Sequence, residues 1–157
     1  MRNFTSWYKK NWPLVFYLAL SLALSTQIHI QPSQGGSMLP TIPLAGMVLT
    51  RDYLPWEKPQ KGQIVVSDVP QRAIDTIPEF KKHPPNFSIG KRVAAIGGET
   101  VDGQVLPPDT YWLLGDNPNK STDSRFFGPV PRSNITQQEL FVLPPSLGTL
   151  FTQARCS

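Results

Sequence analysis

The chain of 157 residues suffices for one compact domain with a short appendage and excludes a multidomain machine. Fifteen Lys and Arg against 11 Asp and Glu give a net charge of +4, a sign that taken alone invites nucleic acid, but its placement argues against that partner. Arg2, Lys9 and Lys10 precede every acid, and from Gln31 onward 12 basic side chains face 11 acidic ones. A single cysteine, Cys156, excludes an internal disulfide, and two histidines, His29 and His83, are too few to complete a Cys/His zinc site with it.

In chain order, residues 1–11 read as a basic tail and residues 12–30 as a transmembrane anchor. No Asp, Glu, Lys or Arg occurs between Asn11 and Thr50, and Trp12 to Leu24 is dense in Leu, Val, Phe, Tyr and Ala. Nineteen helical residues at about 1.5 Å each nearly match a hydrocarbon core of about 30 Å. Ser25, Thr26, Gln27 and His29 make the end of the segment more polar, and Ala23 and Ser25 form a small-x-small pattern, so a removed signal peptide is the alternative to an uncleaved anchor. In both cases the basic N-terminus stays inside and the rest of the chain reaches the non-cytosolic side, or the intermembrane space of a mitochondrion. Trp7, Tyr8, Trp12 and Tyr17 suit the interfaces.

Residues 31–157 hold 16 of the 17 prolines and all 11 glycines, which leaves little room for long helices. The pattern predicts a mainly β, largely antiparallel domain. Its strands are Met47 to Arg51, Gln63 to Ser67, Ser88 to Ile96, Thr110 to Leu114 and Glu139 to Leu143. Residues 68–86, with Pro70, Pro78, Pro84 and Pro85, form an excursion between two of them.

Three segments can carry chemistry. In Gly35-Gly36-Ser37-Met38-Leu39-Pro40-Thr41 the glycines let the backbone approach a substrate and Pro40 stiffens the exit, although the same composition also makes a linker. In Ser88 to Ile96 strand alternation puts Ile89, Lys91, Val93 and Ala95 on one face and Arg92 on the other. A lysine on an apolar face loses charge and becomes a base near neutral pH; a lysine whose head reaches water does not, and Ala94 and Ile96 blur the two faces. Gly115 to Arg125, with Asp116, Ser121, Asp123 and Arg125, reads as a bracing polar network or as a solvated loop. His29, at the end of the apolar segment, and His83, in a Pro-rich loop, are poorly placed to serve Ser37.

Taken together, Ser37-Met38-Leu39-Pro40-Thr41, Lys91-Arg92-Val93 and Gly115-Asp116-Asn117 with Ser121, Asp123, Ser124, Arg125 and Phe127-Gly128-Pro129 resemble the type I signal peptidases and their mitochondrial inner membrane protease relatives. The resemblance runs from about Gln34 to Pro145. It implies a membrane-bound serine endopeptidase with one N-terminal membrane helix, removing leader peptides through a Ser/Lys dyad, with neither a metal nor an organic cofactor. Ser37 is then the nucleophile and Lys91 the general base. Ser121 orients the lysine; Asp116, Asp123, Arg125 and Arg92 brace the site; Gly35, Gly36, Met38 and Pro40 position the substrate or its oxyanion. The implied partners are leader-bearing precursors, the lipid bilayer and, as in the mitochondrial relatives, a second protease subunit.

Some members of the family place a serine hydroxyl two positions before the nucleophile; Gly35 stands there, which leaves the Ser37 N–H as the identifiable oxyanion donor. Only Ala95 to Tyr111 separates the second motif from the third, so the large domain that longer bacterial members insert is missing. Endoplasmic reticulum relatives carry histidine where Lys91 stands, so the resemblance points to a bacterial plasma membrane or a mitochondrial inner membrane. The competing readings are a maturation protease dedicated to one exported protein and a non-catalytic, membrane-anchored β-rich binding module. A Ser-x-x-Lys reading at Ser6 to Lys9 lacks its companion motifs.

Overall fold

The computed structural model describes residues 11–18, 20–21, 27–44, 46–83 and 87–143. The basic residues of the N-terminal tail, most of the second half of the expected anchor and Cys156 lie outside them. Residues 11–18 and 20–21 are helical. Among the described residues no helix is long and apolar enough to cross a membrane.

The domain is mainly β, as its turn-rich composition predicts. Strands β1 (Ile28–Pro32), β2 (Met47–Asp52), β3 (Ile64–Asp68), β4 (Ser88–Ile96), β7 (Thr110–Leu114), β8 (Val130–Pro131) and β9 (Ile135–Leu143) form one seven-stranded sheet in the order β1-β2-β9-β3-β4-β7-β8. Every pairing is antiparallel. The remaining pair, β5 (Thr100–Val101) and β6 (Gln104–Val105), makes a separate hairpin, with Asp102 and Gly103 at positive φ in its turn.

Five expected strands are present, with β9 beginning four residues earlier than expected. The expected anchor is corrected at its end: Ile28 to Ile30 belong to β1. Ile28-His29-Ile30-Gln31 alternates with period two, and His29 and Gln31 find polar partners across the sheet that a bilayer would withhold. His29 Nε2 lies 3.1 Å from Asp52 Oδ1 and Gln31 Nε2 donates to Gln137 Oε1 at 2.6 Å. The excursion at 68–86 holds a short helix α1 (Gln71–Thr76) and a 3-10 turn at Phe80–Lys82; Phe80 ties it down, 5% exposed and edge-on to Phe87.

Two cores flank the sheet. The larger gathers Val65, Val93, Tyr111, Leu113, Val130 and Ile135 with Phe80 and Phe127, the last from the short helix α2 (Ser124–Phe127). The smaller gathers Met38, Ile42 and Val48, with Ile64 and Val142 packed against them. The first isolates one face of β4 from water, and the second seats the segment that follows β1. Leu113 is fully buried at the centre of the larger core. Leu113→Ala is expected to cost about 2–5 kcal/mol of folding stability, measured by urea denaturation of the detergent-solubilised chain; a loss below about 1 kcal/mol contradicts this account of the core.

Candidate active site

The burial of β4 follows its alternation: Lys91, Val93 and Ala95 are buried, and the residues between them are half-buried. Lys91 is 4% exposed. Its Nζ lies 2.8 Å from Ser37 Oγ, and this is the Lys91 hydrogen bond among the described residues. Burial pulls the lysine pKa down from 10.5 to about 8, because an apolar surrounding penalises the ammonium; the negative charges of Asp123 and Glu79 oppose that shift. An amine with this pKa is half neutral at about pH 8.

The Ser37 segment is fixed at several points. Gly35 has φ +91, in the left-handed region that suits glycine. Met38, 4% exposed, hooks the segment into the smaller core. The Ser37 carbonyl accepts from the Asn117 N–H at 2.9 Å. Thr41 Oγ1 donates to Asp116 Oδ2 at 2.5 Å, and Asp116 is held in turn by a bidentate pair from Arg92, Nε to Oδ1 at 2.8 Å and Nη2 to Oδ2 at 2.7 Å. That guanidinium holds the Asp116 carboxyl below its ordinary pKa. Neighbours on β4 therefore do different work: Lys91 meets the serine from one face, and Arg92 on the other clamps the serine's own loop.

Gly115 is the hinge of this arrangement. A Cβ there would stand 2.1 Å from Ser121 Oγ and 2.6 Å from the Ser37 carbonyl oxygen, distances no side chain tolerates. The fully buried Asp123 carboxylate accepts from the Gly115 N–H (3.0 Å), Ser121 Oγ (2.6 Å), the Arg125 N–H (3.3 Å) and Arg125 Nε and Nη2 (2.8 Å each). Desolvation pushes the Asp123 pKa upward, and these donors outweigh it, so the carboxyl sits below its ordinary value. With its lone pairs occupied and a guanidinium opposite, Asp123 exerts only a partial pull on the Lys91 proton.

The structure thus brings Ser37, Lys91, Asp116, Arg92, Ser121, Asp123 and Arg125 together as two linked clusters. Gly35, Gly36, Ser37, Met38 and Lys91 all line one open cleft of ≈ 590 Å³. Two expectations are corrected. The Ser121 hydroxyl donates to Asp123 Oδ2 at 2.6 Å, which anchors it at the buried carboxylate, and no Ser121–Lys91 hydrogen bond is formed among the described residues. Pro40 is exposed and outside the cleft lining, although Thr41 and Ile42, which follow it, return to the site. Neither His29, on Asp52, nor His83, stacked on Phe87 at 4.5 Å, is hydrogen-bonded to Ser37. Thr41, the Asn117 N–H and the steric role of Gly115 escape a reading of the sequence. The first looks like an ordinary turn residue, the second acts through backbone, and only the Gly-Asp-Asn run hints at the third.

A β domain in which a serine hydroxyl lies against a buried amine suits a hydrolase acting through an acyl-enzyme, and the comparisons give the class. Residues 100–143, which carry Asp116, Ser121, Asp123 and Arg125 but neither Ser37 nor Lys91, match the family described as signal peptidase, peptidase S26. The chain is 32% identical over 134 residues to the mitochondrial ATP-independent inner membrane protease subunit 1a of Arabidopsis thaliana, covering 77% of this chain and 71% of that protein. It is 30% identical over 149 residues to signal peptidase I of Leptolyngbya laminosa, covering 75% and 71%. Over 125 residues it is 30% identical to the mitochondrial inner membrane protease subunit 1 of Mus musculus, covering 71% and 66%. The chain belongs to the peptidase S26 family of signal peptidases, and it is a membrane-associated serine peptidase.

Because a methyl group at position 115 drives the Ser37 segment and Ser121 apart, Gly115→Ala is expected to lower precursor cleavage by at least about 100-fold while the circular dichroism spectrum keeps its β character. Cleavage within a few-fold of the parent chain contradicts the close packing described.

Proposed function

We propose that the chain is a membrane-anchored endopeptidase that removes N-terminal leader peptides from exported or sorted proteins by a Ser37/Lys91 dyad. The observation that carries this reading is the 2.8 Å contact between Ser37 Oγ and a lysine amine that is 4% exposed. In the reacting form Lys91 is neutral and Ser37 donates to it. As Ser37 Oγ bonds to the scissile carbonyl carbon, its proton passes to Lys91 Nζ, and the carbonyl electrons move onto oxygen beside the Ser37 N–H. Collapse of this intermediate breaks the C–N bond, and the ammonium returns the proton to the leaving amine. Water, activated by the same amine, then hydrolyses the acyl-enzyme. Asp123 with Arg125, and Asp116 with Arg92, hold the two reactants in register; Ser121 contributes by fixing Asp123.

Replacing either partner tests the dyad. Ser37→Ala and Lys91→Met are each expected to abolish cleavage of a leader-bearing precursor while leaving a folded, membrane-bound protein; full activity in either variant overturns the assignment. Burial lowers the lysine pKa, so the basic form predominates above about 8. Cleavage is therefore expected to rise with pH through about 8 and then level off, unaltered by His83→Ala, and a profile falling over that range opposes a lysine base.

The membrane reading has support in the outer sheet face as well as in the apolar stretch of residues 12–27. Ile30, Leu49 and Phe141 stand opposite one another across β1, β2 and β9, with Pro32, Met47 and Leu143 in the next row. Ile28, Ile30 and Phe141 are 51%, 49% and 70% exposed, on the face turned away from the smaller core. In a family of membrane-associated peptidases we assign this face to the bilayer, beside the anchor, with the basic tail on the cytosolic or matrix side and the catalytic domain opposite. A nitroxide on Phe141→Cys, in a Cys156→Ser chain in proteoliposomes, is expected to collide more with oxygen dissolved in lipid than with an aqueous nickel complex. One on Val105→Cys should show the reverse order, and matching behaviour at the two sites contradicts the assignment. Precursors, and a second protease subunit of the kind the relatives' names imply, are the partners of this activity.

A further inference from the structure

Polarising a scissile carbonyl normally takes more than one donor, and the Ser37 N–H is the one identified above. A Cβ on Gly35 would meet nothing within 4 Å, so the serine's approach is open on that side. On the next residue the situation differs. A Cβ on Gly36 would lie 3.1 Å from Lys120 Cδ and 4.0 Å from Lys120 Cβ, so the lysine stem runs over the backbone that leads into Ser37. Lys120 closes the 3-10 turn Pro118–Lys120, and its N–H bonds to the Asn117 carbonyl at 3.1 Å. The same Asn117 donates to the Ser37 carbonyl, which ties the root of the lysine to the serine it overlies. Lys120 lines the cleft with Gly35, Gly36 and Ser37, is exposed, and its ammonium has no hydrogen bond or ion pair among the described residues.

We propose that the Lys120 ammonium is the second oxyanion donor of this enzyme, folding over Gly36 to meet the negative oxygen that forms when Ser37 attacks. This rests on the dyad reading. Ser37 Oγ forms the new bond to carbon, its proton goes to Lys91 Nζ, and the carbonyl electron pair settles on oxygen between the Ser37 N–H and the Lys120 N–H bonds. Lys120 exchanges no proton in this step. A neutral carbonyl gains little from a solvated ammonium and an oxyanion gains much more, so the effect falls on the chemical step and hardly on substrate binding.

The test uses the full chain in detergent with a leader-bearing precursor and, separately, a leader-derived peptide aldehyde whose adduct with Ser37 carries the same oxygen. Lys120→Met keeps the stem over Gly36 and removes the charge. It is expected to lower kcat by at least about tenfold with KM changed less than about twofold, and to weaken the aldehyde in parallel. Lys120→Arg, which keeps the charge, is expected to recover part of both. Unchanged kcat and aldehyde affinity in Lys120→Met, or a Lys120→Arg protein as impaired as Lys120→Met, overturns the proposal. Ser37→Ala and Lys91→Met run beside them separate the readings: if those retain activity the dyad itself fails, and if they are inactive while Lys120→Met is normal, only the role of Lys120 fails.

Discussion

The structure depends on keeping a lysine amine out of water within 2.8 Å of a serine hydroxyl. An ammonium in that position would be a donor with no basicity, and stripping it of water is what makes the neutral form accessible. The desolvation is supplied by the larger core, whose Val93 shares Lys91's face of β4 and whose Phe80 comes from the excursion at 68–86. The expense is borne by the same strand that positions the serine's clamp, since Arg92 is the next residue.

A nearby carboxylate would undo this by stabilising the ammonium, and Asp123 is buried close enough to raise the lysine pKa. Five donors restrain that effect. Arg125 supplies a counter-charge, and the Gly115 N–H and Ser121 hydroxyl occupy the remaining lone pairs. What remains of Asp123's influence on Lys91 is smaller than the effect of burial, so the balance leaves the amine near 8 rather than at the ordinary lysine value. Removing Arg125 would leave the buried Asp123 charge uncompensated near the amine, which ties that pair to the basicity of Lys91 as well as to the fold.

Much of this was legible in the sequence where a single periodicity governed the outcome. In β4 the alternation grouped Lys91, Val93 and Ala95 on one face without deciding whether the lysine is buried there, and the turn residues around β2, β3 and β7 bounded those strands to within a residue. β1 was hidden because Ile28 and Ile30 lie within the uncharged run that follows Asn11, so a strand alternation read as the tail of a membrane span. The candidate residues were named through family resemblance, and the structure brings them together through bonds the sequence did not show. Nothing local tells Ser121 to choose Asp123 over Lys91, gives Thr41 its bond to Asp116, or lays the Lys120 stem on Gly36. Those contacts are fixed by how the 115–125 turn folds back on the Ser37 segment, a tertiary fact with no sequence period.

The most direct test of the account is to titrate Lys91 itself. In the full chain with 13C-labelled lysine, solubilised in detergent, the Lys91 side-chain resonance, assigned by its loss in Lys91→Met, should move with a midpoint near 8. A Lys91 midpoint at 10.5 or above would mean that the amine stays charged wherever the enzyme works, and would contradict the claim that burial turns it into a base.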